Sequence, residues 1–453
     1  MARITVYPEQ TRGRMKPMHA VNKGPLGFII PSQNRNNFEE YRAARIPYAR
    51  NHDASEWIDY GGEFTVDIYS LFPDFDADPN DPASYEFAVT DAYTKFTQDA
   101  GTETFYRLGS RIEHQPKKYR TVMPRDFHKW AVICEHVIRH YTEGWADGFH
   151  YSIRYWEIWN EPDLDRDDTP TEKKRTWSGT AAQFYEFYEV VATYLKACFP
   201  HLKIGGPALA GNTGEWMDGF LAHMTRDGRR VPLDFFSWHW YGTDPARMLA
   251  RAHTVRQKLD AAGYTESESI LNEWNYVANW RERWVETILQ IIGPRGASFL
   301  AAALCVGQND PTLDMMMYYD AAPCSLNGLF DFYTWKPIMG YWAIYAFSDL
   351  CELGTSVHTD GDDPPIYATA ARGSSGELAM LVSYYAAEDG GADKTVEIAV
   401  DGADQVQAEV FTVDSPHGYR APVQSEGSVI PLTMAPNTFA LVRVHPGKGD
   451  DRT

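Results

Sequence analysis

The sequence predicts a (β/α)8 barrel carrying an accessory antiparallel β-sandwich. Three observations lead there. Between about residues 19 and 351, eight short strand-like runs alternate with amphipathic helical stretches. After about residue 352 the helical period vanishes, and short β-rich runs follow one another across turn-like clusters. Chemically capable residues close several of the eight runs, while no GxGxxG follows an early one, which favours a barrel over an open doubly wound sheet.

In chain order the strand-like runs are 19–25, 46–52, 104–110, 155–161, 203–208, 234–240, 269–275 and 313–320. The helical stretches between them include 37–45, 126–141, 180–198, 245–262, 284–306 and 336–350. Parallel strands need long crossovers, and amphipathic helices supply them. Asn37, followed three positions later by Glu40, reads as a helix-start box. The later β-rich runs are 366–372, 378–385, 395–400, 407–413 and 438–444. Val396, Ile398 and Val400 alternate as on a half-buried strand. The run 3–7 has no place in a barrel and is expected to complete the sandwich. The expected division is therefore 19–351 for the barrel, 1–18 with 352–446 for the sandwich, and 447–453 for a flexible tail.

Composition sets bounds on function. Hydrophobic residues make up 44% and charged residues 23%, the balance of a globular protein rather than a disordered one. With 42 basic against 62 acidic residues the formal charge is −20. That disfavours nucleic acid, whose binding relies on Lys and Arg at phosphates, and an anionic membrane surface. A neutral substrate is the simplest inference, with room for a local basic pocket. The five cysteines (Cys134, Cys198, Cys305, Cys324, Cys351) are scattered and form no CxxC pair. The start Met1-Ala2-Arg3-Ile4-Thr5-Val6-Tyr7 lacks a signal-peptide core, and no run reaches the roughly 20 apolar residues of a membrane span. A reducing cytoplasm is the expected compartment, and a homo-oligomer is compatible with the chain.

Glu161 and Glu273 carry the chemistry. Each closes a strand-like run among aromatic residues, in Tyr155-Trp156-Glu157-Ile158-Trp159-Asn160-Glu161-Pro162 and in Ser269-Ile270-Leu271-Asn272-Glu273-Trp274-Asn275. In a barrel they end the fourth and seventh strands and meet at one mouth. Arg50-Asn51-His52-Asp53 ends the second strand, and Trp238-His239-Trp240-Tyr241 ends the sixth. Two facing carboxyl groups suit cleavage of a glycosidic bond: one protonates the departing oxygen, and the other meets the developing oxocarbenium ion. His136 and His140 share a helical face, but Val137-Ile138-Arg139 between them lacks the glutamate of HExxH, so they are expected on a solvated face.

The chain resembles the clan A glycoside hydrolases, and most of all family 39, which includes β-xylosidases and α-L-iduronidase. The Glu157-Ile158-Trp159-Asn160-Glu161-Pro162 motif, Arg50 with His52, and Asn272-Glu273-Trp274-Asn275 carry the resemblance. It implies a retaining mechanism with Glu161 as acid/base and Glu273 as nucleophile, and with no metal or organic cofactor. It implies that Asn160 bonds the sugar 2-hydroxyl. Tyr241, His239 and Arg50 are candidates to hold Glu273, and His52 to touch a sugar hydroxyl. Trp57, Trp274 and Trp335 are candidate stacking faces, as are Trp159 and Trp280, with packing the competing use of each.

Departures from the family pattern bear on specificity. Asp53 stands where glycine is usual, Asp163 where asparagine is common, Asn272 where threonine is usual, and Tyr276 in place of a small polar residue. Asp53 is accordingly a substrate-binding candidate. The stretch 54–86, rich in acids and aromatics, is expected to wall the site. The expected function is a retaining exo-glycosidase on a neutral, pentose-containing oligosaccharide, β-xylosidase-like. An α-L-arabinofuranosidase of the same fold, an inverting hydrolase and a non-catalytic carbohydrate-binding barrel are the alternatives.

Overall fold

Eight parallel strands close into a barrel: β2 (Ala20–Asn22), β3 (Tyr48–Arg50), β4 (Glu103–Leu108), β5 (Tyr155–Ile158), β6 (Lys203–Leu209), β7 (Phe235–Gly242), β8 (Glu268–Tyr276) and β9 (Met315–Tyr318). Each overlaps one of the eight expected runs. The structure is a computed structural model that describes residues 2–27, 36–54, 65–116, 118, 121–322 and 326–445. β1 (Ala2–Arg14) precedes the barrel and belongs to a second sheet.

The helices around the barrel are α1 (Phe38–Ala43), α2 (Ile68–Leu71), α3 (Ala88–Asp99), α4 (Phe127–Thr142), α5 (Ala181–Cys198), α6 (Glu215–Met224), α7 (Pro245–Ala261), α8 (Trp284–Ile291), α9 (Pro294–Asn309) and α10 (Met339–Leu353). Side-chain caps start several of them. Asp126 accepts from the Lys129 amide, and Thr180 with Gln183 forms a reciprocal capping box. Such caps are worth about 1 kcal/mol each. Asn37 does not cap: its side-chain oxygen accepts from the Leu26 amide, tying the end of the first barrel loop to α1. The single stretch expected over 284–306 is two helices bent by 65°, because Gly293-Pro294 interrupts the hydrogen-bond ladder and Pro294 starts a new helix. The solvated face expected for His136 and His140 is in fact buried. His140 stacks on Phe87 at 3.6 Å and bonds Asp91, while His136 bonds the Val132 carbonyl.

The second sheet comprises β1 with β10 (Thr355–Asp360), β11 (Ile366–Arg372), β12 (Leu378–Tyr384), β13 (Lys394–Val400), β14 (Val406–Asp414), β15 (Gly418–Tyr419), β16 (Val423–Gly427), β17 (Ile430–Met434) and β18 (Thr438–His445). β1 lies between β10, antiparallel, and β13, parallel, so the N-terminus closes a sheet built otherwise from the C-terminus. Val396, Ile398 and Val400 enter its core with Ile4 and Val6. The sheet packs on α9 and α10. Ser383 Oγ donates to the Ser298 carbonyl, Asn309 Nδ2 to Ala368, and Arg443 Nε to Asp349 at 3.0 Å.

Inside the barrel, Ala20, Phe105, Tyr155, Phe235, Ile270, Met315 and Met317 form an apolar plug. Phe105 and Tyr155 stack at 5.2 Å, with Phe235 edge-on to both. Towards the C-terminal ends of the strands the interior turns polar, with Asn22, Arg50, Glu157, Ser237 and Asn272 all buried. The plug leaves only that end open to chemistry.

Candidate active site

Arg50 stands at the centre of the polar layer. Its Nε donates to Glu157 Oε2 at 2.7 Å, its Nη1 to Glu273 Oε1 at 2.7 Å and to Asn22 at 3.1 Å, and its Nη2 to Asn160 Oδ1 at 2.7 Å. Glu157 Oε1 in turn accepts from Ser237 at 2.6 Å and Asn272 at 2.5 Å. All these groups are out of water. A buried ion pair stays favourable only when its remaining donors and acceptors are matched, and this one is matched on every side. Arg50 is thus both an ion-pair partner and a prop beneath Glu273. Glu157, Ser237, Asn272 and Asn22 were not foreseen as site residues. Glu157 lay within the quoted motif, and its place two residues into a strand was the available signal.

A β-bulge delivers Glu273. Across β7 and β8 the register steps from Trp238 opposite Leu271 to His239 opposite Glu273, so Asn272 is the extra residue. The bulge lets Asn272 and Glu273 both reach the barrel interior, although they are neighbours in a strand. Trp274 then faces outward, fully buried against Tyr318 and Phe299. It presents no face to a sugar, which corrects the stacking role expected for it. Trp335 is only 3% exposed, in a cluster with Leu26, Ala54, Val66, Tyr93 and Ala322, so packing takes up the face expected to stack. Trp57 lies outside the described residues. Of the tryptophan candidates among the described residues, Trp280 is the exposed one, at 53%, edge-on to Tyr241 at 5.0 Å.

Glu161 is held differently. Past the end of β5 the chain enters the left-handed region at Trp159 (φ 74°) and again at Glu161 (φ 48°). Glu161 N donates to Ala208, Thr176 Oγ1 donates to the Glu161 carbonyl at 2.6 Å, and Trp159 Nε1 donates to Thr176. Conformations of this kind persist where surrounding bonds over-determine them, typically at functional sites. Gly109 makes the approach possible: a Cβ there would lie 2.8 Å from the Trp159 Cα.

The two carboxyl groups meet across His239 and Tyr241. His239 Nδ1 lies 2.7 Å from Glu161 Oε1 and 3.4 Å from Glu273 Oε2, so its chief partner is Glu161 rather than the expected Glu273. Tyr241 donates to Glu273 Oε2 at 2.7 Å, as expected. One oxygen of Glu161 and one of Glu273 fall, with a His239 nitrogen, within 4.8 Å of one another. Three such ligands could in principle hold a cation. Here the oxygens of Glu273 already accept from Arg50 and Tyr241, so a metal ion would face the guanidinium at close range. The arrangement suits proton transfer better.

Electrostatics separate the pair. Burial, reinforced by Asp163 and Asp165, pushes the Glu161 carboxyl up to about 8 against the pull of Arg50 and Arg175. Asp163 is the largest charge effect on it. Burial also raises Glu273, but His239, Arg50 and the Tyr241 hydroxyl draw it back towards its anion. Burial keeps His239 and His52 neutral, and Arg50 and Arg107 depress His52 further.

Beside Glu273, His52 Nε2 lies 3.8 Å from Glu273 Oε1 and 3.4 Å from Asp53 Oδ2. Asp53 is in the left-handed region (φ 50°), and burial lifts its carboxyl to about 7. Among the described residues, His52 Nδ1, Asp53 Oδ1 and Asn160 Nδ2 are buried without partners. Lys23, paired with Asp320 at 3.0 Å, and Tyr319 adjoin this corner. The described part of 54–86 contributes packing: Leu71, Phe72 and Tyr85 join the main core, and Asp67 pairs with Arg107.

A closed parallel barrel with two carboxyl groups facing across its mouth is the build of the barrel glycosidases. The profile of glycosyl hydrolases family 39 matches residues 2–269, and the chain belongs to that family. It is 37% identical over 121 residues to a beta-xylosidase of Geobacillus stearothermophilus, covering 26% of this chain and 21% of the relative. It is 27% identical over 218 residues to a beta-xylosidase of Caldicellulosiruptor saccharolyticus, covering 46% of this chain and 41% of the relative. The chain thus matches less than half the length of either. Among solved structures, a glucosidase from Croceicoccus marinus shares the fold at a TM-score of 0.78 and 24% identity, covering 98% of this chain and 99% of that one. A monomeric beta-xylosidase from Caulobacter crescentus superposes at 0.69 with 16% identity, over 98% and 100% of the two chains.

Proposed function

We propose that the protein is a retaining exo-glycosidase, with Glu161 as acid/base and Glu273 as nucleophile. One observation carries the reading: a carboxyl oxygen of each lies within 4.8 Å of the other. Retaining enzymes keep their carboxyl groups roughly 5–5.5 Å apart so that the nucleophile touches the anomeric carbon, whereas inverting enzymes leave roughly 6.5–9.5 Å for a water.

In the first step a Glu273 oxygen bonds the anomeric carbon as the glycosidic C–O bond breaks. The bonding pair leaves on the aglycone oxygen, which takes the proton of Glu161. We assign neutral His239 the tautomer with its proton on Nδ1, which donates to Glu161 Oε1, 2.7 Å away, and leaves the Glu161 proton on the other oxygen, free for the leaving group. Arg50 and Tyr241 hold Glu273 anionic and aimed. In the second step Glu161, now a carboxylate, takes a proton from water as its oxygen attacks the anomeric carbon. Glu273 departs with its electron pair, and both glutamates return to their starting states.

Asn160 is bound through Oδ1 to Arg50, and its Nδ2, without a partner among the described residues, would donate to the sugar 2-hydroxyl. His52 and Asp53 offer unmatched atoms for hydroxyls further round the ring. The beta-xylosidase relatives favour a β-linked pentose as the cleaved unit. A panel of aryl pentosides and hexosides tests activity and sugar together: the β-xyloside is expected to be cleaved fastest, and α-L-arabinofuranoside is its nearest rival. Proton NMR of the first product tests the mechanism. Retained configuration is expected, and initial release of the opposite anomer would assign an inverting enzyme.

A further inference from the structure

The end of β7, the start of α7 and the second sheet enclose a cleft of about 780 Å³ beside the mouth. Tyr241 belongs to both places: its hydroxyl holds Glu273, and the residue also lines the cleft. Across from it stands the half-buried Tyr367 of the second sheet, next to Pro364 and Pro365; Tyr385, just past β12, also lines the cleft but is buried, its hydroxyl donating to the Thr243 carbonyl. Flat apolar faces of this kind take the C–H face of a sugar ring.

Arg251 is the chemical anomaly in the cleft. It projects from α7 and is half-buried, and its hydrogen bond to the described residues is a long one, Nη1 to the His239 carbonyl at 3.4 Å. Other part-buried arginines of this protein are paired with acids: Arg175 with Asp165, Arg443 with Asp349, Arg139 with Glu135. Arg251 has no such partner among the described residues. The acid that reaches it electrostatically, Asp163, has its oxygens engaged by the amides of Ala210, Gly211 and Asn212. A Cβ at Gly211 would lie 3.2 Å from Arg251 Nη1, so the glycine leaves room for the guanidinium. Arg247, one turn earlier, adds a second cation at the rim, 3.9 Å from Asp244.

An unmatched guanidinium in a part-dry cleft calls for a planar anion, which it grips through two parallel N–H bonds. The aromatic and proline wall calls for a ring attached to that anion. The formal charge of −20 opposes any acidic ligand, but that field is screened beyond about 8 Å in physiological salt, whereas Arg251 acts at contact. The geometry points to a subsite, on the aglycone side of the bond that is cut, for a uronic acid residue of the substrate chain. Its carboxylate is forked by Arg251, and its ring lies against Tyr367. This rests on the glycosidase reading above.

Two xylo-oligosaccharides of equal length, one bare and one with a single glucuronic acid branch on the aglycone unit, give the test. In the wild type kcat/KM is expected to favour the branched one by about tenfold, the worth of one good charged contact. Arg251→Met removes that preference, and Arg251→Lys restores part of it. Damage passed on through the His239 carbonyl falls on both substrates and cancels in the ratio. Calorimetric titration with methyl glucuronide against methyl glucoside is independent of turnover: binding of the acid alone, lost in Arg251→Met, is expected. A ratio near one in the wild type, a ratio unmoved by Arg251→Met, or glucuronide binding that survives it overturns the subsite. If no glycoside is cleaved at all, the glycosidase reading falls, and the titration alone decides the cleft.

Discussion

Glu161 is a buried carboxyl kept protonated by its surroundings, and that state has consequences for both rate and stability. On the proposed mechanism the first step needs its proton, so this group, at about 8, is expected to set the alkaline limb of kcat/KM. Activity is expected to fall as pH rises through about 8. Asp163→Asn removes the charge and keeps one of the two oxygens that accept from the amides of residues 210–212, so the limb should move to lower pH; an unmoved limb would assign it to another group. Folding is linked to the same proton. Between the ordinary value and about 8 the folded state binds a proton that the unfolded chain has released, so stability is lost as pH rises through that window. Each unit is worth about 1.4 kcal/mol. Glu161→Gln should therefore raise the melting temperature relative to wild type at pH 9, and much less at pH 5. The roles of the two acids separate in azide rescue. Glu161→Ala with azide should give a sugar azide of the substrate's own configuration, and Glu273→Ala the opposite anomer. One common anomer from both variants would overturn the assignment.

At the scale of the element, the site depends on places where regular structure breaks. The bulge at Asn272 brings two neighbours of β8 into the barrel together, and the left-handed turn after β5 swings Glu161 across the mouth. Both acids were legible in the sequence because they close apolar runs among aromatic residues. The bulge was not, since strict alternation puts Asn272 on the face opposite Glu273; hence Asn272 was missed as a site residue, while Trp274, expected at the mouth, lies outside the barrel as alternation from Glu273 requires. α3 and α6 were also passed over. α3 buries Thr90, Thr94 and Thr97 where a helix normally shows large apolar side chains, and α6 carries Gly219 mid-helix, against which Tyr185 packs. Gly109→Ala tests how closely the turn is fitted. Its Cβ would press on the Trp159 backbone, which cannot swing aside as a side chain can. A loss of about 1–3 kcal/mol in chemical denaturation is expected, with kcat reduced more than KM because Glu161 is moved. Unchanged kcat would show that the turn relaxes without moving the acid.

At the scale of the whole molecule, one guanidinium joins four barrel strands into a single unit. Arg50 of β3 reaches Asn22 of β2, Glu157 of β5, Asn160 just past β5 and Glu273 of β8. Four of its five N–H groups each meet a different partner, and the apolar plug below keeps water from substituting for any of them. Arg50→Met would leave Glu157 and Glu273 buried without their cation. Removing one member of a buried pair typically costs about 3–5 kcal/mol, a large share of a domain's stability. Arg50→Lys separates charge from geometry. An ammonium keeps the positive charge but cannot span Glu157, Glu273 and Asn160 at once, because its donors radiate from one point rather than from a fork. Arg50→Lys is therefore expected to melt within a few degrees of wild type while kcat falls about a hundredfold or more, as Glu273 loses its aim. The acid limb of its pH profile should also rise, since a more distant cation holds the Glu273 anion less well. Equal losses of stability and rate in Arg50→Lys and Arg50→Met would mean that Arg50 serves folding alone, and that the aim of the nucleophile is set by Tyr241.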